Sequence, residues 1–409
     1  MTLKDIDKKN IKEIFSAGVN RVSGYNAVAS YLKDNEIEGS YKLIAIGKAA
    51  SSMSLAILDN KDIIIKSGIV ITKIDHTDKK LLIYKNINCI ESDHPTPSDK
   101  SIIAGESLIN YLNSCKENDK FIFLISGGGS SLVESLVDGF SLENLKEITG
   151  VLLSKGYNIS QINNIRKNIS NIKGGKLSSY LKRRDTICLL ISDVPNDIPS
   201  VIASGPLVPD YNTLNLEDYD NDIRERLSGI KFNKCPDKEY FENISTNIIA
   251  KLDDAKKACE EKAKALNYKV FLNKNFIEGN VNKLSSYFSE YLVDAENGVH
   301  IWGGEPSVEL PKSPGRGGRN QHLALLVAEK ISNKPYIFLS AGTDGTDGVT
   351  DDAGAIVDGE TIKKGNHAGL SSQDFISRAD SGTYLEKVNA ILHTGPTGTN
   401  VMDLIIAIK

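Results

Sequence analysis

Apolar residues in this chain gather in short runs separated by longer stretches of mixed, helix-like spacing. In the first half the runs are Tyr41-Lys-Leu-Ile-Ala-Ile46, Gly68-Ile-Val-Ile-Thr72, Phe121-Ile-Phe-Leu-Ile125 and Thr186-Ile-Cys-Leu-Leu-Ile191. Each is rich in β-branched or aromatic residues and reads as a strand. Strands alternating with helices predict βαβ units and a mostly parallel sheet, with ligands beyond the carboxyl ends of the strands. Residues 10–35 read as an amphipathic helical start. In the second half, a helical stretch over 246–266 precedes Lys269-Val-Phe-Leu272, and a further helix is expected near 280–297. His300-Ile-Trp302 and Pro335-Tyr-Ile-Phe-Leu339 then read as strands. The polar, irregular segment 210–245 is expected to be a surface excursion at a domain border. A chain of 409 residues exceeds one small core, so two α/β domains are expected, 1–240 and 241–409.

Composition narrows the class. Hydrophobic residues make up 40% and charged residues 25%, as in globular proteins. A net charge of −4 argues against nucleic acid as a partner, because phosphate binding at scale needs a basic face. Five scattered cysteines without a C-x-x-C pair fit a reducing cytoplasm and neither a disulfide framework nor a thiolate zinc site. The N-terminus lacks an apolar signal region and no run approaches about 18 apolar residues, so neither secretion nor membrane insertion is expected.

The densest chemical signal is Ser126-Gly127-Gly128-Gly129-Ser130-Ser131, directly after the strand ending at Ile125. Three glycines let a ligand approach the backbone, and a helix start favours an anion, so a phosphate or carboxylate seat is expected. The loop is not a dinucleotide fingerprint, since Leu132 stands where the third glycine would be, and no P-loop occurs. A second anion seat is expected at Gly315-Arg316-Gly317-Gly318-Arg319-Asn320-Gln321, with guanidinium help. Nearby, Asp344, Asp347, Asp351 and Asp352 are interleaved with glycine. Carboxylates so closely spaced repel one another unless a cation neutralises them, and magnesium is the expected ion. An EF-hand is excluded because its twelfth position, counted from Asp344, is Ala355. Asp193, after the strand ending at Ile191, reads as a metal ligand or base, or else as a turn residue. Lys48, at a helix start, is unfavourable there unless an anion binds nearby. His94, in a proline-rich turn, reads either as a ligand contact or as a turn residue, and Arg166, Lys167, Lys173 and Lys176 face either the site or water. Together these residues form the inventory of phosphoryl transfer: metal, charge clamp and positioned acceptor.

The motifs occur in a family order. Gly47-Lys48-Ala49-Ala50, His94-Pro-Thr-Pro97, the glycine loop at 126–131, Ile165-Arg166-Lys167 with Lys173-Gly-Gly-Lys-Leu177, and Ser192-Asp193-Val194 come first. Ala203-Ser204-Gly205-Pro206, Gly303-Gly-Glu305, Gly317-Gly318-Arg319-Asn320-Gln321 and Gly342-Thr-Asp-Gly-Thr-Asp-Gly348 follow. From residue 41 to about residue 400 the chain thus resembles the MOFRL-type glycerate 2-kinases. The resemblance implies an α/β fold: a Rossmann-like, mostly parallel sheet sandwiched by helices, then a smaller α/β domain, with the active site in a cleft between them. It further implies phosphorylation of the 2-hydroxyl of D-glycerate by ATP and magnesium to give 2-phosphoglycerate and ADP, in a cytoplasmic monomer or homodimer. Lys48, Asp193 and Arg319 match positions to which that family assigns active-site roles. On this reading Ser126, Gly127, Gly128, Gly129, Ser130, Ser131, Gly317, Gly318 and Asn320 hold the ATP phosphates. Lys48, His94 and Arg166 bind glycerate, Asp193, Glu305, Asp344 and Asp347 hold magnesium, and Lys48 and Arg319 are interchangeable between the two anions. Ser98 stands before Asp99 where many relatives have aspartate directly after the second proline, leaving the role of Asp99 open. Two rival readings are an NAD(P)H-dependent hydroxypyruvate reductase and a non-catalytic sugar-acid or nucleotide sensor.

Overall fold

The computed structural model describes residues 3–409 and divides into two compact units. Gly24–Ile249 forms one; the segment through Ser23 joins Ala250–Lys409 in the other. The sequence placed the first 23 residues with the N-terminal domain. Instead, the expected helix over 10–35 is broken near Val22, and its first part, Leu3–Arg21, packs on helix Leu252–Ala265. Ile11, Ile14 and Phe15 are fully buried there, and Glu13 pairs with Lys262 at 2.9 Å.

The Gly24–Ile249 unit is built on β1 (Gly39–Ile46), β2 (Ile63–Lys73), β3 (Ile87–Ser92), β4 (Phe121–Ile125), β5 (Thr186–Ile191) and β6 (Ile244–Ala250). Their order is β3-β2-β1-β4-β5-β6, and β1 runs parallel to β2 and β4, as β2 does to β3 and β4 to β5. All five residues of β4 are buried, which is why its sequence is continuously apolar rather than alternating. Helices Ala50–Leu58 and Asp99–Ser114 pack on this sheet. Leu108 and Leu112 of the latter meet Ile44, Phe121, Phe123 and Leu190 in one core. The chain leaves β1 toward β2 on one side and later returns to lay β4 on the other. That reversal opens the carboxyl ends of β1 and β4 as a ligand crevice.

Segment 210–245 is less peripheral than its polarity suggests. Tyr219, Ile223 and Leu227 are buried against Ile148, Leu152 and Ile165, so this stretch carries a small core of its own. In the same unit, Lys173 and Glu134 form a buried ion pair, and Glu134 also accepts from Ser170 Oγ at 2.6 Å and from the Ser135 N–H. Burial pushes the Lys173 ammonium toward its neutral form, and the charge of Glu134 opposes that shift.

The second sheet contains β7 (Val270–Asn280), β8 (Val299–Ser307), β9 (Ile337–Gly342), β10 (Gly354–Asp358), β11 (Ile391–Leu392) and β12 (Asp403–Ile408), in the order β11-β10-β9-β12-β8-β7. It is mixed: β7 and β8 are parallel, whereas β12 runs antiparallel to both β8 and β9. Helix Arg319–Lys330 is buried from Asn320 through Ala328, which accounts for its weak amphipathic pattern, and its core includes Trp302, Phe288 and Phe338. Among the described residues no helix is long and apolar enough to cross a membrane.

Replacing Lys173 by Met is expected to cost roughly 3–5 kcal/mol, because it strands a buried carboxylate. Adding Glu134→Gln in the same chain should recover most of that loss, and urea unfolding of both variants measures the difference.

Candidate active site

In the Gly24–Ile249 unit the loops after β1 and β4 are fitted to each other. Lys48 N–H donates to Gly127 O at 2.9 Å, and Ala49 N–H to Ser126 Oγ at 3.0 Å. Gly47 has φ +126°, and any β-carbon on it would collide with Ser126. Gly128 (φ +84°) lies under two side chains: a β-carbon there would stand 3.0 Å from the His94 ring and 3.3 Å from Lys48 Cγ. The bare backbone of the glycine loop, Lys48 and His94 therefore share one small region.

Helix Gly129–Leu132, which opens from this loop, is only four residues long. A helix this short contributes little dipole, so an anion at this loop would be met by local N–H groups and neighbouring cations. Arg166 supplies a cation, with Nη2 3.4 Å from Ser130 O. Burial lowers its pKa, and Glu134 partly opposes the shift. Ser130 Oγ hydrogen-bonds Ser204 Oγ at 2.8 Å, while Ser131 Oγ donates back to Gly128 O. Ala203 and Ser204 both adopt left-handed backbone (φ +50° and +62°), a conformation that costs a non-glycine residue about 1–2 kcal/mol. The turn is held by the Lys173-Gly-Gly-Lys176 segment, where Gly174 and Gly175 N–H groups donate to Ser204 O and Gly205 O. Asp193, half-buried, follows β5, the strand next to β4.

The other basic residues turn inward. Lys167 bonds Asp210 at 2.6 Å, Lys173 bonds Glu134, and Lys176 bonds Ser170 O at 2.9 Å. Burial brings the Lys176 ammonium down to about 8. Asp99 is exposed in the first turn of its helix, where a negative charge is favourable, and Ser98 is the N-cap.

The second unit assembles a different cluster where β8 and β9 end and β12 begins. Arg319, the first residue of its helix, donates from Nε to Asp403 Oδ2 at 2.7 Å and from Nη2 to Asp403 Oδ1 at 3.1 Å. Its Nη1 donates to Glu305 at 2.9 Å. Burial alone would lower the guanidinium pKa, but Asp403 and Glu305 together raise it. Asp347 is fully buried and accepts the N–H groups of Asn320 (3.1 Å) and Gln321 (2.8 Å). The group at this helix start is therefore the chain's own Asp347 carboxyl, where the sequence suggested phosphate. Asn320 is likewise internal, its side chain accepting from Ser340 Oγ at 2.6 Å. Gly317 (φ +139°) leads into Gly318, which packs so closely on Asp347 that a β-carbon would collide with it.

The expected magnesium set is not assembled as a cage. Asp347 is committed to the helix and Glu305 to Arg319, while Asp344 Oδ1 accepts from Thr346 N–H and Oγ1, both at 3.0 Å. Among the described residues no three carboxylate, histidine or cysteine side chains are grouped to hold a metal. Half-buried Asp193 and Asp344 fit a different kind of site, in which one carboxylate and several phosphate and water oxygens complete the octahedron. The sequence reading missed Asp403. Its signal is a lone carboxylate heading the apolar run Leu404-Ile-Ile-Ala-Ile408.

Comparison with known proteins divides the chain between two families, with residues 10–23 matched alongside the Gly24–Ile249 unit although they fold with the other. Residues 10–231 match a family described as a domain of unknown function (DUF4147), and residues 298–403 match the MOFRL family. Glycerate 2-kinase of Pyrococcus horikoshii is 38% identical over 397 residues, with 92% of this chain and 89% of that protein covered. D-Glycerate 2-kinase of Thermotoga maritima is 35% identical, with 90% of each covered. The crystal structure of a glycerate kinase from T. maritima matches with a TM-score of 0.85 at 31% identity, covering 99% of both chains.

Asp347 carries a pH signature. Burial, only partly opposed by the two backbone N–H groups, lifts its pKa to about 7. Between about pH 4 and pH 7 the native state keeps a proton that the unfolded chain has released, so stability falls as pH rises, by at most about 1.4 kcal/mol per pH unit. Asp347→Asn should flatten this dependence, as read from urea unfolding at the two ends of the window.

Proposed function

The chain belongs to the glycerate 2-kinase family, and from that premise we propose that it transfers the γ-phosphoryl group of ATP to the 2-hydroxyl of D-glycerate. The observation that carries this reading is that Lys48 and His94 lie over the bare backbone of Gly128 while Arg166 reaches Ser130 O of the same loop. That is a seat for a small anion. The sheet order is shared with dinucleotide-binding folds, which keeps the reductase in view. Such folds carry their glycine fingerprint after the first strand, where this chain reads Gly47-Lys48-Ala49-Ala50. The kinase reading is therefore preferred.

Phosphoryl transfer asks a protein mainly to position the reactants and neutralise charge. Lys48 and Arg166 are assigned to the glycerate carboxylate and His94 to its hydroxyls. Asp193 orients the 2-hydroxyl and takes its proton as the oxygen bonds to phosphorus. The bond from phosphorus to the bridging oxygen breaks, and ADP leaves with that electron pair. Arg319 is assigned to the charge on the transferring group. Asp193 or Asp344 would hold magnesium, which would supply further charge neutralisation.

The test is ADP release with D-glycerate, with phosphorus NMR fixing the phosphate on the 2-position. Asp193→Asn should lower kcat by roughly 10²–10⁴-fold, the usual range for acid–base groups. Lys48→Ala should act mainly on the KM for glycerate, because the carboxylate is held alike in ground and transition states. Chelation of magnesium should abolish turnover. Reduced nicotinamide consumed with hydroxypyruvate, and no ADP formed with glycerate, would replace the kinase reading with the reductase.

A further inference from the structure

Arg319 is gripped unequally along its two edges. The Nε–Nη2 edge meets both oxygens of Asp403, at 2.7 and 3.1 Å, the bidentate geometry that fixes a guanidinium plane. Asp403 is 2% exposed, whereas Glu305, which holds Nη1, is 44% exposed. Water can take over from Glu305 at little cost, but it cannot reach Asp403. The first edge is fixed and the second is exchangeable.

The fold reserves room for the fixed edge. Asp403 begins β12, and its register partners are Gly304 on β8 and Gly342 on β9, so neither neighbour has a side chain at its level. A β-carbon on Gly342 would stand 3.5 Å from Asp403 Oδ1. From the other side, Asp347 anchors the backbone just beyond Arg319 through the Asn320 and Gln321 N–H groups. The helix start and the guanidinium are thus held by two separate buried carboxylates.

We propose that Asp403 is a positioning residue for phosphoryl transfer: it locks the Nε–Nη2 edge of Arg319 so that the Nη1 edge, released from Glu305, faces the transferring group. This rests on the assignment of Arg319 to that group made above. Asp403 acts through Arg319 and touches no substrate.

The experiment is a double-mutant cycle with chemical rescue on the full-length enzyme. Arg319→Ala should lower kcat by about 10²–10³-fold, as loss of a transition-state donor does. Asp403→Asn should lower kcat by roughly 10-fold or more, with the KM for glycerate within about 2-fold of wild type. The double variant should match Arg319→Ala within about 3-fold, because residues acting through one group are not additive. Added methylguanidinium should restore part of the kcat of Arg319→Ala and none in the double variant, since the carboxylate that seats it is gone. A merely structural Asp403 would leave that rescue unchanged. Should Asp403→Asn fail to fold, Asp403→Glu keeps the charge but moves the guanidinium, and should lower kcat by about 5-fold or more at an unchanged melting temperature. Multiplying effects, persistent rescue in the double variant, or wild-type kcat in whichever Asp403 variant folds would overturn the proposal while leaving the role of Arg319 standing. Wild-type kcat in Arg319→Ala would instead remove the assignment of Arg319 itself, and the proposal with it.

Discussion

Taking a charge out of water costs several kcal/mol per ion unless a partner meets it. In both units this constraint decides which polar residues remain for chemistry. Lys173 is met by Glu134, Lys167 by Asp210, and Lys176 by backbone carbonyls, so three of four neighbouring cations are spent on structure. Arg166 is left at the glycine loop. In the second unit Asp347 is met by helix N–H groups and Asp403 by Arg319, which leaves Arg319 partly exposed on its other edge.

The glycine loop expresses a second constraint, the close approach of two backbones. Loops after β1 and β4 meet because the strand order reverses between them. They meet closely enough that Gly47 has no room for a side chain, while Gly128 lies beneath Lys48 and His94. The left-handed turn at Ala203 and Ser204 is tolerated because the Gly174–Gly175 segment holds it by backbone hydrogen bonds. Two motifs that are far apart in sequence, around residues 175 and 204, are thus one structural device.

The sequence by itself determined four of the six strands of the first unit and the loops that follow them, but not β3, and it expected helix from residue 246 where β6 runs through Ala250. Buried parallel strands must be apolar on both faces, and runs such as Phe121–Ile125 satisfy that without outside help. The glycine loop was equally legible, because a backbone that must stay uncovered shows itself as missing side chains. The helix break near Val22 was not legible, since the two segments are continuous in pattern and differ only in which core receives them. Nor was the burial of Tyr219, Ile223 and Leu227 beneath a polar stretch. What only the tertiary structure decided was the use of each charge. A carboxylate before glycine reads alike as metal ligand or turn residue, and Asp347 is neither because folding brought it to the N–H groups of Asn320 and Gln321. Asp403 and Arg319 are 84 residues apart, and nothing local to either announces the other. Local pattern records which residues avoid water, whereas pairing of charges depends on distances that exist only once the chain has folded.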